Sequence, residues 1–159
     1  MFPKIVLKNI GEPQPDPKPI KQNTFEYLLK SAQTHGEDWE RARNIAVLYL
    51  WGDTESRAGA LMRMEVENLD LVHGSVTILD KGGRYSWLFF GELSCEAIKT
   101  WLYYRSQFNP KVSDLFITKG TPLDKKYVRR ILNRLAKAAG IENERHNPHA
   151  FWHAFAGDT

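Results

Sequence analysis

Most apolar residues of this chain recur at helical spacing. One short segment differs, because its apolar and polar residues alternate. The alternation covers residues 74–80, a Lys-Gly-Gly-Arg turn follows at residues 81–84, and residues 85–90 form a second extended run. This order predicts a β-hairpin, and residues 66–71 offer a third strand. We therefore expect an α+β fold that is mainly α-helical and holds one small antiparallel three-stranded sheet.

Three helices are predicted before the hairpin. The first begins near Asn23, and the second covers about residues 39–51 with Asp38 as its N-cap. A turn at residues 52–53 then leads to a short third helix around residues 56–64. The second helix is apolar on most of its sides, which indicates that it is buried. The first carries a core-facing stripe formed by Phe25, Leu28, Leu29 and Ala32.

Two further helices and one extended piece are predicted after the hairpin. Ser94 is expected to cap a helix that turns Ile98 and Trp101 inward, and residues 115–117 form a short extended piece. Asp124 is expected to cap a strong helix that ends before Gly140. Its apolar stripe consists of Val128, Ile131, Leu132 and Leu135. Its opposite face is basic and consists of Lys125, Lys126, Arg129, Arg130 and Arg134.

Length and composition indicate a soluble, intracellular protein. The 159 residues predict one domain at residues 23–159, behind a proline-rich arm or linker at residues 1–22. No apolar run is long enough to span a bilayer, so a membrane partner is not expected. The single cysteine, Cys95, cannot form an internal disulfide, which favours the cytoplasm.

The positive charge is concentrated near the C-terminus of the chain. The net charge is +3, whereas residues 119–145 hold eight basic and three acidic residues, which makes +5 there and leaves −2 elsewhere. A basic helix face can be simply solvated, or it can meet the phosphates of a nucleic acid. Charge alone leaves both interpretations open.

Four motifs, in order, resemble the tyrosine recombinases, or phage-type integrases. The sequence Thr-Glu-Ser-Arg-Ala-Gly-Ala-Leu at residues 54–61, with residues 66–71 after it, resembles their first arginine box. The turn at residues 81–84 resembles their catalytic lysine turn, and the basic helix resembles a segment that they lay against DNA. Residues 147–156 resemble the helix that carries their His-x-x-Arg pair.

The resemblance implies a DNA strand-transferring catalytic domain and assigns roles to its residues. Arg57 and His149 would hold the scissile phosphate, since cations neutralise the charge of the transition state, and Lys81 would be the general acid. The family cleaves and rejoins DNA through a 3′-phosphotyrosine. Contacts to double-stranded DNA are expected from Arg84, Lys125, Lys126, Arg129, Arg130 and Arg134.

Departures from the family pattern predict that this chain is a truncated, catalytically inactive relative. Trp152 stands where the second arginine is expected, Glu55 replaces a usual glycine, and Ala60 replaces a usual glutamate. The nucleophilic tyrosine is expected beyond His149, whereas all six tyrosines precede it. Because the tail that is missing here packs on a neighbouring subunit in this family, we expect a monomer in isolation. Association with an intact recombinase stays open.

Each assignment has a purely structural alternative. Arg57 can pair with Glu55 or Glu65, and Lys81 and Arg84 can be ordinary solvent residues of a hairpin. His149 can cap a helix or lie in the core. The histidines at positions 146, 149 and 153 have a spacing that zinc sites use, but no cysteine or paired acid accompanies them, so neither a metal nor a cofactor is expected.

Four functions are open at this point. The chain can be a DNA-binding remnant of a recombinase, or a binding module that inhibits an intact recombinase. It can also be a relic without a partner, or an active enzyme represented only by a fragment. The DNA-binding remnant is the interpretation we carry forward.

Overall fold

A computed structural model describes residues 19–56, 58–80 and 82–141, with side chains described from Thr24 onward. Arg57, Lys81, His149 and Trp152 therefore lie outside the described residues, as does the arm up to residue 18. Among the described residues, no helix combines the length and the apolar character needed to cross a membrane.

Two helices that pack against each other begin the fold. Helix α1 (Pro19–Thr34) begins four residues earlier than predicted, since proline is well suited to the first helical position. Helix α2 (Asp38–Thr54) is capped by Glu37 and not by Asp38, because Glu37 and Glu40 form a reciprocal capping box. The predicted core stripe of α1 is buried throughout.

The predicted turn at residues 52–53 is wrong, because α2 continues through it to Thr54. Gly52 is buried inside the fold, and the Thr54 hydroxyl donates to the Leu50 carbonyl at 2.7 Å. The chain leaves the helix only at Glu55, and the short helix α3 (Ala58–Met62) follows.

The three-stranded sheet is confirmed. Strands β1 (Leu69–Asp70), β2 (Ser75–Leu79) and β3 (Tyr85–Phe89) form an antiparallel sheet in that order. The register pairs Val76 with Leu88 at the centre of the hairpin. Strand β1 is shorter than predicted, because residues Val66–Asn68 form a 3₁₀ helix ahead of it.

The chain then returns through helix α4 (Glu92–Ser106), which begins two residues before the predicted cap. Ser94 lies in its first turn, fully buried, while Gly91 takes the N-cap position. Trp101 of α4 donates from Nε1 to the Leu115 carbonyl at 2.8 Å. The extended piece after it, β4 (Ile117–Thr118), pairs with β5 (Thr121–Pro122) in a second small sheet that the sequence did not predict.

Helix α5 (Lys125–Ala138) closes the described fold and agrees with its prediction at both ends. Asp124 accepts a hydrogen bond from the Tyr127 N–H at 2.8 Å, and Gly140 follows the helix with a positive φ of 78°. The whole predicted apolar stripe of α5 is buried against α1 and α3. This packing leaves the opposite face of α5 to the solvent.

Candidate nucleic-acid interface

The exposed face of α5 is a continuous basic surface. Lys125, Lys126, Arg129, Arg130 and Arg134 are all exposed. The helix contains no acidic residue between its ends, so no carboxylate within it offsets this charge. Because the apolar stripe fixes how α5 is rotated, these five side chains, which we call the basic face, must point outward together.

One residue of the basic face is held by a ring contact. The guanidinium carbon of Arg130 lies 5.7 Å from the ring centroid of Tyr127, one helical turn earlier. A second guanidinium, that of Arg43, lies 5.9 Å from the same ring. The ring thus lies between a surface cation and a buried one, and it limits the positions that Arg130 can sample.

Arg43 is a structural residue that the sequence analysis missed. Its side chain is 1% exposed, and burial lowers the pKa of its guanidinium. It donates to Asn44 Oδ1 at 2.9 Å and to Thr118 Oγ1 at 3.1 Å. Arg43 therefore joins α2 to β4 beneath α5. Its spacing of four and seven residues from buried Val47 and Leu50 was the signal that it faces inward.

The turn before residue 57 adopts the backbone conformation that favours glycine. Glu55 has φ 54° and ψ 28°, and its N–H donates to the Trp51 carbonyl at 2.8 Å. The Thr54 hydroxyl accepts a hydrogen bond from the Ser56 N–H at 3.2 Å. The resemblance expects glycine at this position, and its backbone has the left-handed conformation that glycine adopts easily. Glutamate adopts the same conformation at a cost of about 1 kcal/mol in folding free energy.

The hairpin turn around residue 81 is organised by Asp80. Its Oδ1 accepts from the N–H groups of Gly82 and Arg84 at 2.9 and 3.0 Å, and its own N–H donates to the Arg84 carbonyl at 2.8 Å. Gly83 supplies the positive φ, 80°, that this turn requires. The Arg84 side chain is exposed where β3 begins.

The elements on either side of residues 57 and 81 lie close together. Arg63, just after α3, donates from Nε to the Leu79 carbonyl at the end of β2, at 3.0 Å. Helix α3 also contacts α5. Arg63 is exposed and adds a cation that the sequence analysis did not select. Arg57, Lys81 and His149 themselves lie outside the described residues, so their meeting in one pocket stays a prediction.

No metal site is found in the part of the chain that the structure describes, where no three histidine, cysteine or acidic side chains cluster. The histidines at positions 146, 149 and 153 fall outside that part. Cys95 is half-buried, and burial is the main reason that the pKa of its thiol is raised.

Comparison with known proteins decides the family. The phage integrase family model matches residues 18–158, nearly the whole chain. This chain belongs to the phage integrase family. The membership confirms the family that the four motifs indicate.

Relatives of this integrase-family chain include tyrosine recombinases XerC of two bacteria. The protein of Corynebacterium glutamicum is 28% identical over 137 residues, which cover 86% of this chain and 43% of that protein. The protein of Pseudomonas entomophila is 33% identical over 122 residues, which cover 76% and 40%. The chain thus spans less than half the length of these relatives.

Two solved recombinases share the fold of this family member. XerA superposes with a TM-score of 0.70 at 20% identity, over 84% of this chain and 47% of XerA. XerH, crystallised with its difH substrate before cleavage, superposes with a TM-score of 0.67 at 24% identity, over 82% of this chain and 39% of XerH. These likenesses confirm the recombinase-like fold of the helices and the small sheet.

Proposed function

We propose that this chain is the DNA-binding part of a site-specific recombinase domain, and that it grips double-stranded DNA through the basic face of α5. The observation that carries the proposal is the exposure of five cations on one side of a helix whose other side is buried. Guanidinium and ammonium groups bind phosphates by charge, and each phosphate contact releases condensed counterions.

The hairpin supplies a second contact in this proposal. Arg84 is exposed at the start of β3, and Asp80 fixes the backbone of the turn beside it. Arg63 joins this turn to the segment after α3, which contacts the basic helix. The XerH complex with difH supports a DNA-facing role for a domain of this shape.

We do not propose that this chain by itself cleaves and rejoins DNA as the tyrosine recombinases do. Arg57, Lys81 and His149 keep the residue types that phosphate binding and proton donation need. Trp152, however, replaces a bidentate cation with a neutral side chain that has one N–H donor. Because this cation is replaced, we propose DNA binding without strand cleavage.

A gel-shift titration with duplex DNA at low salt tests this function. The double variant R129A/R130A should bind at least about tenfold more weakly than the native chain, since it removes two phosphate contacts. The double variant K99A/K111A removes the same charge from exposed sites on α4 and the loop after it, and it should bind like the native chain. Equal weakening in both variants would mean that net charge, and not the basic face, determines binding.

A further inference from the structure

Strand β3 presents three large aromatic side chains to solvent on one face of the sheet. Tyr85, Trp87 and Phe89 are 66%, 62% and 59% exposed, and their alternate spacing places them on the same side. Leu79, which pairs with Tyr85, extends this apolar surface. We call the three aromatic residues the aromatic stripe. A contiguous apolar surface of this kind is typical of a binding site.

The aromatic stripe does not serve the core of the described fold. An antiparallel sheet with one solvated face usually turns apolar side chains inward and polar ones outward. Strand β2 follows this rule, because Val76 and Ile78 are buried on the inner face. Strand β3 reverses it, because Ser86 pairs with Ile78 on the inner face while the three rings lie on the outer one. This reversal indicates that the outer face has a ligand.

The area of the aromatic stripe is too small for a stable contact between two copies of the chain. A fully buried aromatic side chain covers about 150–250 Å², so three rings that are each more than half exposed offer roughly 300–450 Å². Two such faces placed together would bury at most about 900 Å², whereas stable, specific interfaces bury at least about 1,200 Å². The stripe is therefore suited to a narrower ligand.

Three rings in a row match the flat faces of unpaired nucleic-acid bases. Residues two apart on a strand lie about 6.7 Å from each other, which is about twice the 3.4 Å rise between stacked bases. Neighbouring rings of the stripe can therefore each hold a separate base. Proteins that bind single strands use aromatic side chains in this way, because every base has a π face.

Exposed cations lie at the Tyr85 end of the aromatic stripe. Arg84 is exposed directly before Tyr85. Arg63 is also exposed, and its Nε donates to the carbonyl of Leu79, the residue that pairs with Tyr85. These two guanidinium groups complement the phosphates that connect successive bases.

The acidic side chain in the same row as Phe89 is already bound. Asp70 pairs with Ser75, and Ser75 pairs with Phe89. The Asp70 carboxylate accepts from the N–H groups of Val72 and His73 at 3.1 and 3.0 Å, and Nδ1 of His73 lies 2.9 Å from its second oxygen. These polar partners reduce the repulsion that the carboxylate exerts on a phosphate.

We propose that the aromatic stripe binds unpaired bases of single-stranded DNA, with phosphates of the strand held at the Arg84 end. A base inside a duplex has its faces covered by its neighbours, so the stripe binds only where bases are unstacked. The choice of DNA rests on the function proposed above, because the stripe begins at the hairpin turn that contacts the duplex there. The stacking itself does not depend on that function.

Fluorescence anisotropy with a labelled oligothymidylate, which does not pair with itself, tests this site. The triple variant Y85L/W87L/F89L keeps the three positions apolar and removes the rings, so it should bind at least about tenfold more weakly than the native chain. The matched variant Y103L removes a ring that is 62% exposed on α4, and it should bind like the native chain. Duplex binding should be the same in all three proteins.

Ultraviolet cross-linking of the native chain to the same oligothymidylate locates the contact without any variant. Trypsin cleaves after Arg84 and Lys99, so the whole aromatic stripe lies in one peptide, residues 85–99. Mass spectrometry should find cross-linked nucleotide on this peptide. A cross-link found only on other peptides would overturn the proposal.

The binding experiments can overturn the proposal in further ways. One is binding of oligothymidylate by the triple variant, folded by circular dichroism, as tightly as by the native chain. Another is equal weakening in the triple variant and Y103L. Tighter binding of an oligouridylate would assign the stripe to RNA, and a dimer in sedimentation that only the triple variant loses would assign it to a second copy. Ring-dependent binding of oligothymidylate would support the stripe even if R129A/R130A left duplex binding unchanged, so the two proposals fail separately.

Discussion

Asp53 accepts a 2.8 Å hydrogen bond from the buried hydroxyl of Ser94, and this contact joins the end of α2 to the first turn of α4. The same carboxylate oxygen accepts from the Gly91 N–H at 2.7 Å. One side chain thus holds the helix that leads to residue 57 against the strand that returns from residue 81.

Removal of that carboxylate should destabilise the domain. In D53A two donors lose their acceptor, and we expect the free energy of unfolding to fall by about 2 kcal/mol. S94A removes one donor and leaves the bond to Gly91, so a loss of about 1 kcal/mol is expected. Urea denaturation followed by circular dichroism measures both. Equal losses in the two variants would contradict a shared acceptor.

Replacement of Glu55 by glycine should stabilise the chain. Because φ of Glu55 is 54°, a residue without a Cβ relieves the local strain, and E55G should raise the free energy of unfolding by about 0.5–1 kcal/mol. E55N should fall between E55G and the native chain, because asparagine tolerates this conformation better than glutamate does. Thermal unfolding gives the order of the three proteins. A lower midpoint for E55G would mean that contacts of the glutamate side chain outweigh the strain.

The turn after β1 should weaken in acid. The hydrogen bond from the His73 backbone N–H is the main reason that the pKa of Asp70 is lowered, and the His73 side chain adds to it. A carboxyl group whose pKa is lowered by folding stabilises the native state above its ordinary pKa, and this contribution is lost as the pH falls through the native pKa.

The variant D70N tests this pH dependence. The difference in stability between native chain and D70N should be largest near neutral pH and should shrink as the pH falls below about 4, where the carboxyl group becomes protonated. Urea midpoints measured across the acid range give this difference. A difference that does not change with pH would show that the charge of Asp70 is not responsible.

Cleavage of DNA by this chain should not be detected. A suicide substrate, which traps the covalent intermediate, should give no protein–DNA adduct with the native chain. A denaturing gel reveals any adduct. An adduct at any of the six tyrosines would contradict the proposed loss of chemistry.

The sequence predicted a helix or a strand correctly where its capping residues, turn residues and apolar pattern agree with the way that the element packs. Helix α5 is the clearest case, because Asp124 marks its start, Gly140 follows its end, and the apolar stripe sets its orientation. The hairpin was predicted for the same reason, since its alternation and its glycine turn point to one structure. The exposure of the basic face follows directly from the stripe.

Other features depend on contacts between distant residues, which local patterns do not reveal. Gly52 resembles a helix end, yet burial within the fold keeps α2 intact to Thr54. The pairing of β4 with β5 rests on two residues in each strand, too few for a periodic signal. Arg43 looks like a surface residue by type; its spacing from Val47 and Leu50 indicates the inward direction, but its contacts with the distant Thr118 and Tyr127 are seen only in the structure.

The residues of the candidate site likewise fall into those that local patterns predicted and those that needed another source. The exposed cations, which are Arg84 and the five residues of the basic face, follow from helical and strand periodicity. The roles of Arg57, Lys81 and His149 came from the family resemblance, and their positions lie outside the described residues. The left-handed conformation of Glu55 is a structural finding that fits the glycine expected there.

The salt dependence of duplex DNA binding tests the central claim most directly. Fluorescence anisotropy at several salt concentrations gives the slope of log K against log salt, which reports the number of phosphates neutralised. We predict a steep slope for the native chain that becomes shallower by about 2 in R129A/R130A and stays unchanged in K99A/K111A. A slope that is the same in all three proteins would contradict binding through the basic face of α5.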